Sequence, residues 1–190
     1  LEDLKLSKED LLSLATDESD ALRNLKSLTL KQIGVVDDDI VLGLLDQATE
    51  LEAIDLSHNY SLTDECLSGI RKCNKTGALR SLVLSGLKNL TEIGLEALFT
   101  PNIPGLPPPP MLRKVNLASC QHSAVSDRVL KLICQASSMK RDGIDVVENS
   151  LSTMGGLVYV NINGSSCTDD TMEALAATSA SSLRELDMSL

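Results

Sequence analysis

Five cysteines and two histidines are the residues of this chain whose side chains could serve as nucleophiles, bases or soft metal ligands. A catalytic thiol needs a base within hydrogen-bond reach, and a zinc site needs ligands that converge at short, fixed spacings. His58 has Asp55 near it in sequence and His122 has Cys120, but neither C-x-x-C nor H-E-x-x-H occurs. The phosphate-cradling glycine loops G-x-G-x-x-G and G-x-x-x-x-G-K-[ST] are also missing, which argues against a kinase or a dinucleotide enzyme. The cysteines fall where a small buried hydrophobe fits. Cys66 and Cys73 share one expected helix, Cys134 follows the apolar stripe of another, Cys120 takes a turn position, and Cys167 precedes a helix cap. The expectation is a protein with no catalytic residue, no cofactor and no metal.

What recurs is a scaffold. The pattern apolar-x-x-apolar-x-apolar appears seven times, as Leu1/Leu4/Leu6, Leu25/Leu28/Leu30, Leu51/Ile54/Leu56, Leu79/Leu82/Leu84, Leu112/Val115/Leu117, Leu157/Val160/Ile162 and Leu183/Leu186/Met188. The starts at 1, 25, 51, 79, 112, 157 and 183 lie 24, 26, 28, 33, 45 and 26 residues apart. Alternation with a period of two is that of a half-buried strand, and similar strands recurring at this period stack as a parallel sheet.

Each strand needs a return segment. Val36-Asp37-Asp38, Leu62-Thr63-Asp64, Leu90-Thr91-Glu92, Val125-Ser126-Asp127 and Cys167-Thr168-Asp169 supply helix starts in register. The middle residue is an N-cap that accepts from an orphan amide of the first turn, and the acid after it lies at the positive end of the helix dipole. Apolar pairs follow at Val41/Leu44, Leu67/Ile70, Leu95/Leu98, Leu130/Ile133 and Met172/Leu175, predicting one buried stripe per helix. Ser7 and Asp10, with capping-box spacing, open a further helix through Leu11, Leu12 and Leu14. The predicted fold is α/β: a leucine-rich-repeat solenoid, a right-handed βα superhelix with a parallel sheet on its concave face and helices on its convex face. Residues 1–190 read as a single array of about seven units.

Two units are enlarged between helix and next strand. Residues 99–111 hold all six prolines, including Pro107-Pro108-Pro109-Pro110, and predict a stiff, exposed spacer loop or, as the alternative, a docking motif for an aromatic groove. Residues 137–156 form the second insertion, which either contacts a partner or is tolerated surface growth.

Composition bounds the function. Hydrophobic residues make up 43% of the chain but aromatics only 2%, so thin aliphatic layers must fill the core. A formal charge of −10 opposes binding to phosphate backbones, and direct nucleic-acid binding is not expected. An odd number of cysteines placed inside the repeats predicts an intracellular, cytoplasmic or nuclear setting. Apolar runs long enough to span a bilayer are missing, so no membrane partner is expected. The first residue is Leu1 and the last ladder ends at the terminus, as in a fragment of a longer chain.

The turn Cys120 after Leu117, the phrase Leu62-Thr63-Asp64-Glu65-Cys66-Leu67 leading to Cys73, and Val125-Ser126-Asp127 leading to Cys134 resemble the cysteine-containing class of leucine-rich repeats. Asn59 fits the turn slot of that class, while Ile33, Leu87 and Ser165 stand there in other units. Proteins with such repeats include F-box substrate receptors of cullin ubiquitin ligases and a subunit of a nucleotide-excision-repair complex. The resemblance implies a substrate-recognition or scaffold role, although no F-box segment occurs in this chain.

On such a scaffold the residues between ladder positions face the concavity. They form a central row of Lys5, Thr29, Asp55, Val83, Asn116, Asn161 and Asp187, flanked by Ser27, Ala53, Ser81, Lys114, Tyr159 and Glu185. Interfaces draw most of their energy from buried Trp, Tyr or Arg, which singles out Tyr159. The expected partner-binding residues are Lys114, Asn116, Tyr159, Asn161, Glu185, Asp187 and Asp55. The expected function is a noncatalytic protein–protein interaction scaffold, with substrate recognition for a ubiquitin ligase as its specific form. The alternatives are a structural subunit of an axonemal or DNA-repair complex and a GTPase-activating protein. For the last, the rows offer Asn116 and Asn161 but no suitably placed arginine.

Overall fold

The computed structural model describes residues 7–16, 22–139 and 156–189. In chain order the elements are α1 (Lys8–Ala15), β1 (Ser27–Thr29), α2 (Asp38–Gln47), β2 (Ala53–Asp55), α3 (Asp64–Cys73), β3 (Ser81–Val83), α4 (Glu92–Phe99), β4 (Lys114–Asn116), α5 (Asp127–Ser138), β5 (Tyr159–Asn161), α6 (Asp169–Ser179) and β6 (Glu185–Asp187). The strands form one parallel sheet in sequence order. Helices adjacent in chain order pack on one another, α1 and α6 on one side only among the described elements. The ladder Leu1/Leu4/Leu6 lies outside the described residues, as does most of the second insertion.

Each strand is three residues long, and its middle residue is the central ladder position. Leu28, Ile54, Leu82, Val115 and Val160 fill that position and are buried under the helices, with Leu186 partly covered at the end of the sheet. The third ladder positions Leu30, Leu56, Leu84, Leu117 and Ile162 are also buried. Burying a Leu or Ile side chain is worth about 1.5–3 kcal/mol, so the stacked layers supply the main driving force for the array.

The six helix starts follow the expected caps. Ser7, Asp37, Thr63, Thr91, Ser126 and Thr168 each have extended backbone and accept from an amide in the first turn, and Ser7 and Asp10 close a reciprocal capping box. The acids after the caps do more than face the helix dipole. Asp38 accepts from the Thr63 amide and hydroxyl, Asp64 from those of Thr91, and Asp127 from those of Thr168. Glu92 accepts from the Ser126 hydroxyl. Caps of successive repeats are therefore tied to one another along one rim.

The turn after each strand repeats with equal regularity. Gln32, His58, Gly86, Ser119 and Gly164 all have left-handed φ, between 56° and 77°. Gln32, His58, Gly86, Ser119 and Gly164 each donate their amide to a carbonyl of the following repeat. In the next slot Asn59 is buried, donating to the Leu30 and Leu56 carbonyls and accepting from the Ile33 amide. Cys120 takes that slot later and its thiol donates to the Leu84 carbonyl.

Two sequence expectations need correction. Met172 is 42% exposed, while Thr171 beside it is buried, as its counterparts Ile40, Cys66 and Val129 are, and bonded through amide and hydroxyl to Asp127. The reason is that α6 has a helix neighbour on one side only among the described elements, so the position that faces the next repeat elsewhere faces solvent here. Leu14 of α1 is likewise largely exposed.

The proline segment is not a free spacer. Pro109 and Pro110 are buried, and Arg71 of α3, 1% exposed, clamps the segment to the helix layer. Its Nε donates to the Pro107 carbonyl at 2.7 Å, and Nη1 donates to the carbonyls of Ala97, Leu98 and Thr100. Prolines lack amide donors but keep their carbonyls, and the end of α4 has carbonyls without intrahelical partners. One guanidinium serves both. The second insertion leaves and rejoins the array at a closed neck, where the Gly156 amide donates to the Ser137 carbonyl at 2.9 Å.

Candidate functional site

The register of the sheet fixes where the candidate residues stand. Lys114, Tyr159 and Glu185 are the first residues of β4, β5 and β6 and are direct cross-strand partners. Asn116, Asn161 and Asp187 are the last residues of the same strands and pair likewise. These six form one contiguous patch on the face of the sheet opposite the helices. Asp55 ends β2 and pairs with Val83, which in turn pairs with Asn116. It therefore stands two strands, or about 9.5 Å, from the patch.

Within the patch the Lys114 ammonium lies over the Tyr159 ring, 5.0 Å from its centroid. At a partly exposed site such a contact is worth about 0.5–1 kcal/mol. It sets a cation beside a half-buried aromatic ring. Glu185 stands on the other side of the tyrosine, and both charged residues are exposed.

The second row has a local task that the sequence reading did not identify. Asp55 Oδ1 accepts from the Ser57 amide, Asn116 Oδ1 from Ala118, Asn161 Oδ1 from Asn163 and Asp187 Oδ1 from Ser189. A short Asx side chain that captures the amide two residues on is a standard way to turn the chain, here into the left-handed position. The signal was present in the spacing of Asp55-Leu56-Ser57, Asn116-Leu117-Ala118, Asn161-Ile162-Asn163 and Asp187-Met188-Ser189. One acceptor of each of these residues is thus committed to the turn. The Asn161 amide group also donates to Asp187 Oδ2 at 3.3 Å.

The thiols are poor nucleophiles in this setting. Burial pushes the Cys66, Cys134 and Cys167 thiols up, and pushes Cys73 and Cys120 up to about 11. A thiol attacks as the thiolate, so at neutral pH these groups stay protonated. Among the described residues no cluster of three or more His, Cys, Asp or Glu converges on one point. The His122 ring lies against the Gly164 carbonyl at 3.1 Å, and the His58 ring sits within van der Waals reach of the Gly86 backbone. Among the described residues no helix is long and apolar enough to cross a membrane.

No protein-family model and no curated protein sequence matches the chain. Among solved structures it is similar to the tropomodulin C-terminal domain of Caenorhabditis elegans, at 14% identity and a TM-score of 0.56, over 91% of this chain and 91% of that one. It is also similar to a chain of the yeast Rad7–Elc1 complex, at 14% identity and a TM-score of 0.47, over 90% of this chain and 43% of that one. The likeness to the tropomodulin domain is one of architecture, since the identity is low. Taken with the stacked strand–helix units and their repeated turns, it makes the chain an α/β leucine-rich-repeat solenoid.

Proposed function

We propose that the protein is a noncatalytic interaction scaffold that binds a protein partner on the open face of β4–β6. The observation that carries the reading is the Tyr159 ring, held under Lys114 and flanked in register by Glu185, on a face otherwise made of small polar residues. A tyrosine carries a large contact area on few rotatable bonds and suits an interface anchor. Asn116, Asn161 and Asp187 border it and supply polar contacts at the rim of such an interface.

The finer reading is substrate recognition within a ubiquitin ligase. Its support is the resemblance of the Thr63-Asp64…Cys73 and Ser126-Asp127…Cys134 phrases to the repeats of F-box receptors. Affinity purification of the full-length protein with mass spectrometry tests it. Recovery of a cullin adaptor supports the ligase form. A stoichiometric assembly lacking any adaptor favours the structural-subunit alternative instead. Loss of the partner with Tyr159→Ala is expected under both.

A further inference from the structure

The charges of this acidic chain are not evenly spread. On the rim where the strands end and the helices begin stand Asp38, Asp39, Asp64, Glu65, Asp169 and Asp170. On the opposite rim, where each strand starts, the residue just before β3, β4 and β6 is Arg80, Arg113 and Arg184, and Lys114 opens β4. The backbone stacks these positions on one another. The Arg113 and Lys114 amides donate to the Arg80 carbonyl, those of Val158 and Tyr159 to the Arg113 carbonyl, and those of Arg184 and Glu185 to the Val158 carbonyl. Tyr159 therefore sits in a cationic strip one strand removed from Lys114 on one side and from Arg184 on the other.

Arg80 has a structural duty, donating to the Gly77 and Leu79 carbonyls. Carbonyl acceptors leave its charge in place. Lys114 and Arg184 are exposed, and Glu185 is the acid set among them.

From this arrangement, and resting on the reading that the open face of the sheet is the binding surface, we propose the chemistry of the partner. The strand-start rim of β3–β6 docks an extended acidic peptide segment of another protein, laid across the strands with an apolar side chain against Tyr159. Lys114 and Arg184 stand on strands two spacings apart, about 9.5 Å, with Arg184 one residue before Glu185, the register partner of Tyr159. Side chains of an extended chain alternate between faces, so residues i, i+2 and i+4 face the sheet over about 13 Å, and carboxylates four residues apart meet the two long cationic side chains with the apolar residue midway between them. The acidic opposite rim repels such a segment and sets its lateral position, because complementary potentials fix register as well as rate.

Selection of short random peptides on the immobilised protein, followed by binding measurements on the enriched sequences, tests the proposal. Expected are acidic sequences with carboxylates four apart and an apolar residue midway between them. Their binding should weaken about tenfold, or 1.4 kcal/mol, with Arg184→Glu or Lys114→Glu, strengthen with Glu185→Lys, and fall with added salt. These three positions are exposed, so circular dichroism should be unchanged. Peptides that are neutral or basic, or that ignore the charge variants while still needing Tyr159, overturn the acidic-segment inference and leave the surface reading intact. Peptides indifferent to Tyr159→Ala overturn both. Equal competition by a single-stranded oligonucleotide of the same charge also overturns it, in favour of a general polyanion strip.

Discussion

The Asp64 carboxylate accepts the amide and the hydroxyl of Thr91, at 2.9 and 2.6 Å, one repeat further along the chain. Thr91 in turn caps α4 by accepting from the Gly94 amide. A cap is thus itself held by the acid of the preceding cap, and the same relationship recurs from Asp38 to Thr63 and from Asp127 to Thr168. In a solenoid each unit touches only its neighbours, so stability is roughly a sum of unit and interface contributions. These links belong to the interface part.

Asp64→Ala should therefore destabilise by about 1–3 kcal/mol, in the range of hydrogen bonds to charged groups. Thr91→Ala should cost about 1–2 kcal/mol through the lost cap. Because the two residues share one link, the double variant should cost less than the sum of the singles by at least about 0.5 kcal/mol. Urea unfolding of the four proteins measures that coupling, and additive losses would disprove the link.

Gly94 gives a sharper version of the same test. A Cβ there would lie 2.1 Å from the Asp64 carboxyl carbon, so the glycine makes room for the acid of the neighbouring repeat. Gly94→Ala should destabilise the wild type. In an Asp64→Ala background the same change should be stabilising, by up to about 1 kcal/mol, as helical Gly→Ala is when nothing clashes. The reversal of sign in denaturant midpoints is the expected result.

Arg71 should be indispensable to the proline segment. Replacing it with Met strands the buried Leu98 carbonyl and the part-buried carbonyls of Ala97, Thr100 and Pro107, and an unsatisfied buried group alone costs about 1–3 kcal/mol. A loss of about 3 kcal/mol or more is expected, with faster proteolytic cleavage near the exposed Leu106. Arg71→Lys, which keeps the charge but not the fork of donors, should recover only part of the stability.

Asp127 predicts an acid-sensitive component of stability. Burial opposes its ionisation, but the amides and hydroxyls of Thr168 and Thr171 outweigh it and hold the carboxyl below the ordinary 3.8. A carboxyl depressed in the folded state contributes stability that is fully present above its unfolded value, and the contribution is lost as pH falls through the folded one. The loss should begin as pH drops below about 4. Asp127→Asn should be less stable at neutral pH and show a shallower acid slope, measured by urea unfolding across that range.

Much of this was legible in the residues themselves. The ladder positions predicted β1–β6, because a period of two has one structural solution when it recurs at fixed intervals, and the Thr, Ser and Asp caps predicted where helices start. The sequence also brought Lys114, Tyr159 and Glu185 into one row, since equal ladder positions stack. What it did not reveal depended on three-dimensional neighbours. Arg71 reads as an ordinary helix-end cation until the carbonyls of α4 and Pro107 are seen around it. Met172 stands exposed because α6 has a helix neighbour on one side only among the described elements. Asp55 shares the central row with Asn116, Asn161 and Asp187 and stands two strands from Asn116.

The central claim, that the open face of β4–β6 is the binding surface, is tested most directly by hydrogen exchange on the complex with the partner that full-length protein captures. Amides at and beside Lys114, Tyr159 and Glu185 should gain protection on binding, and Tyr159→Ala should abolish both the protection and the complex. Protection confined to α2–α6 on the helix side, or a complex that survives Tyr159→Ala unchanged, would contradict the account.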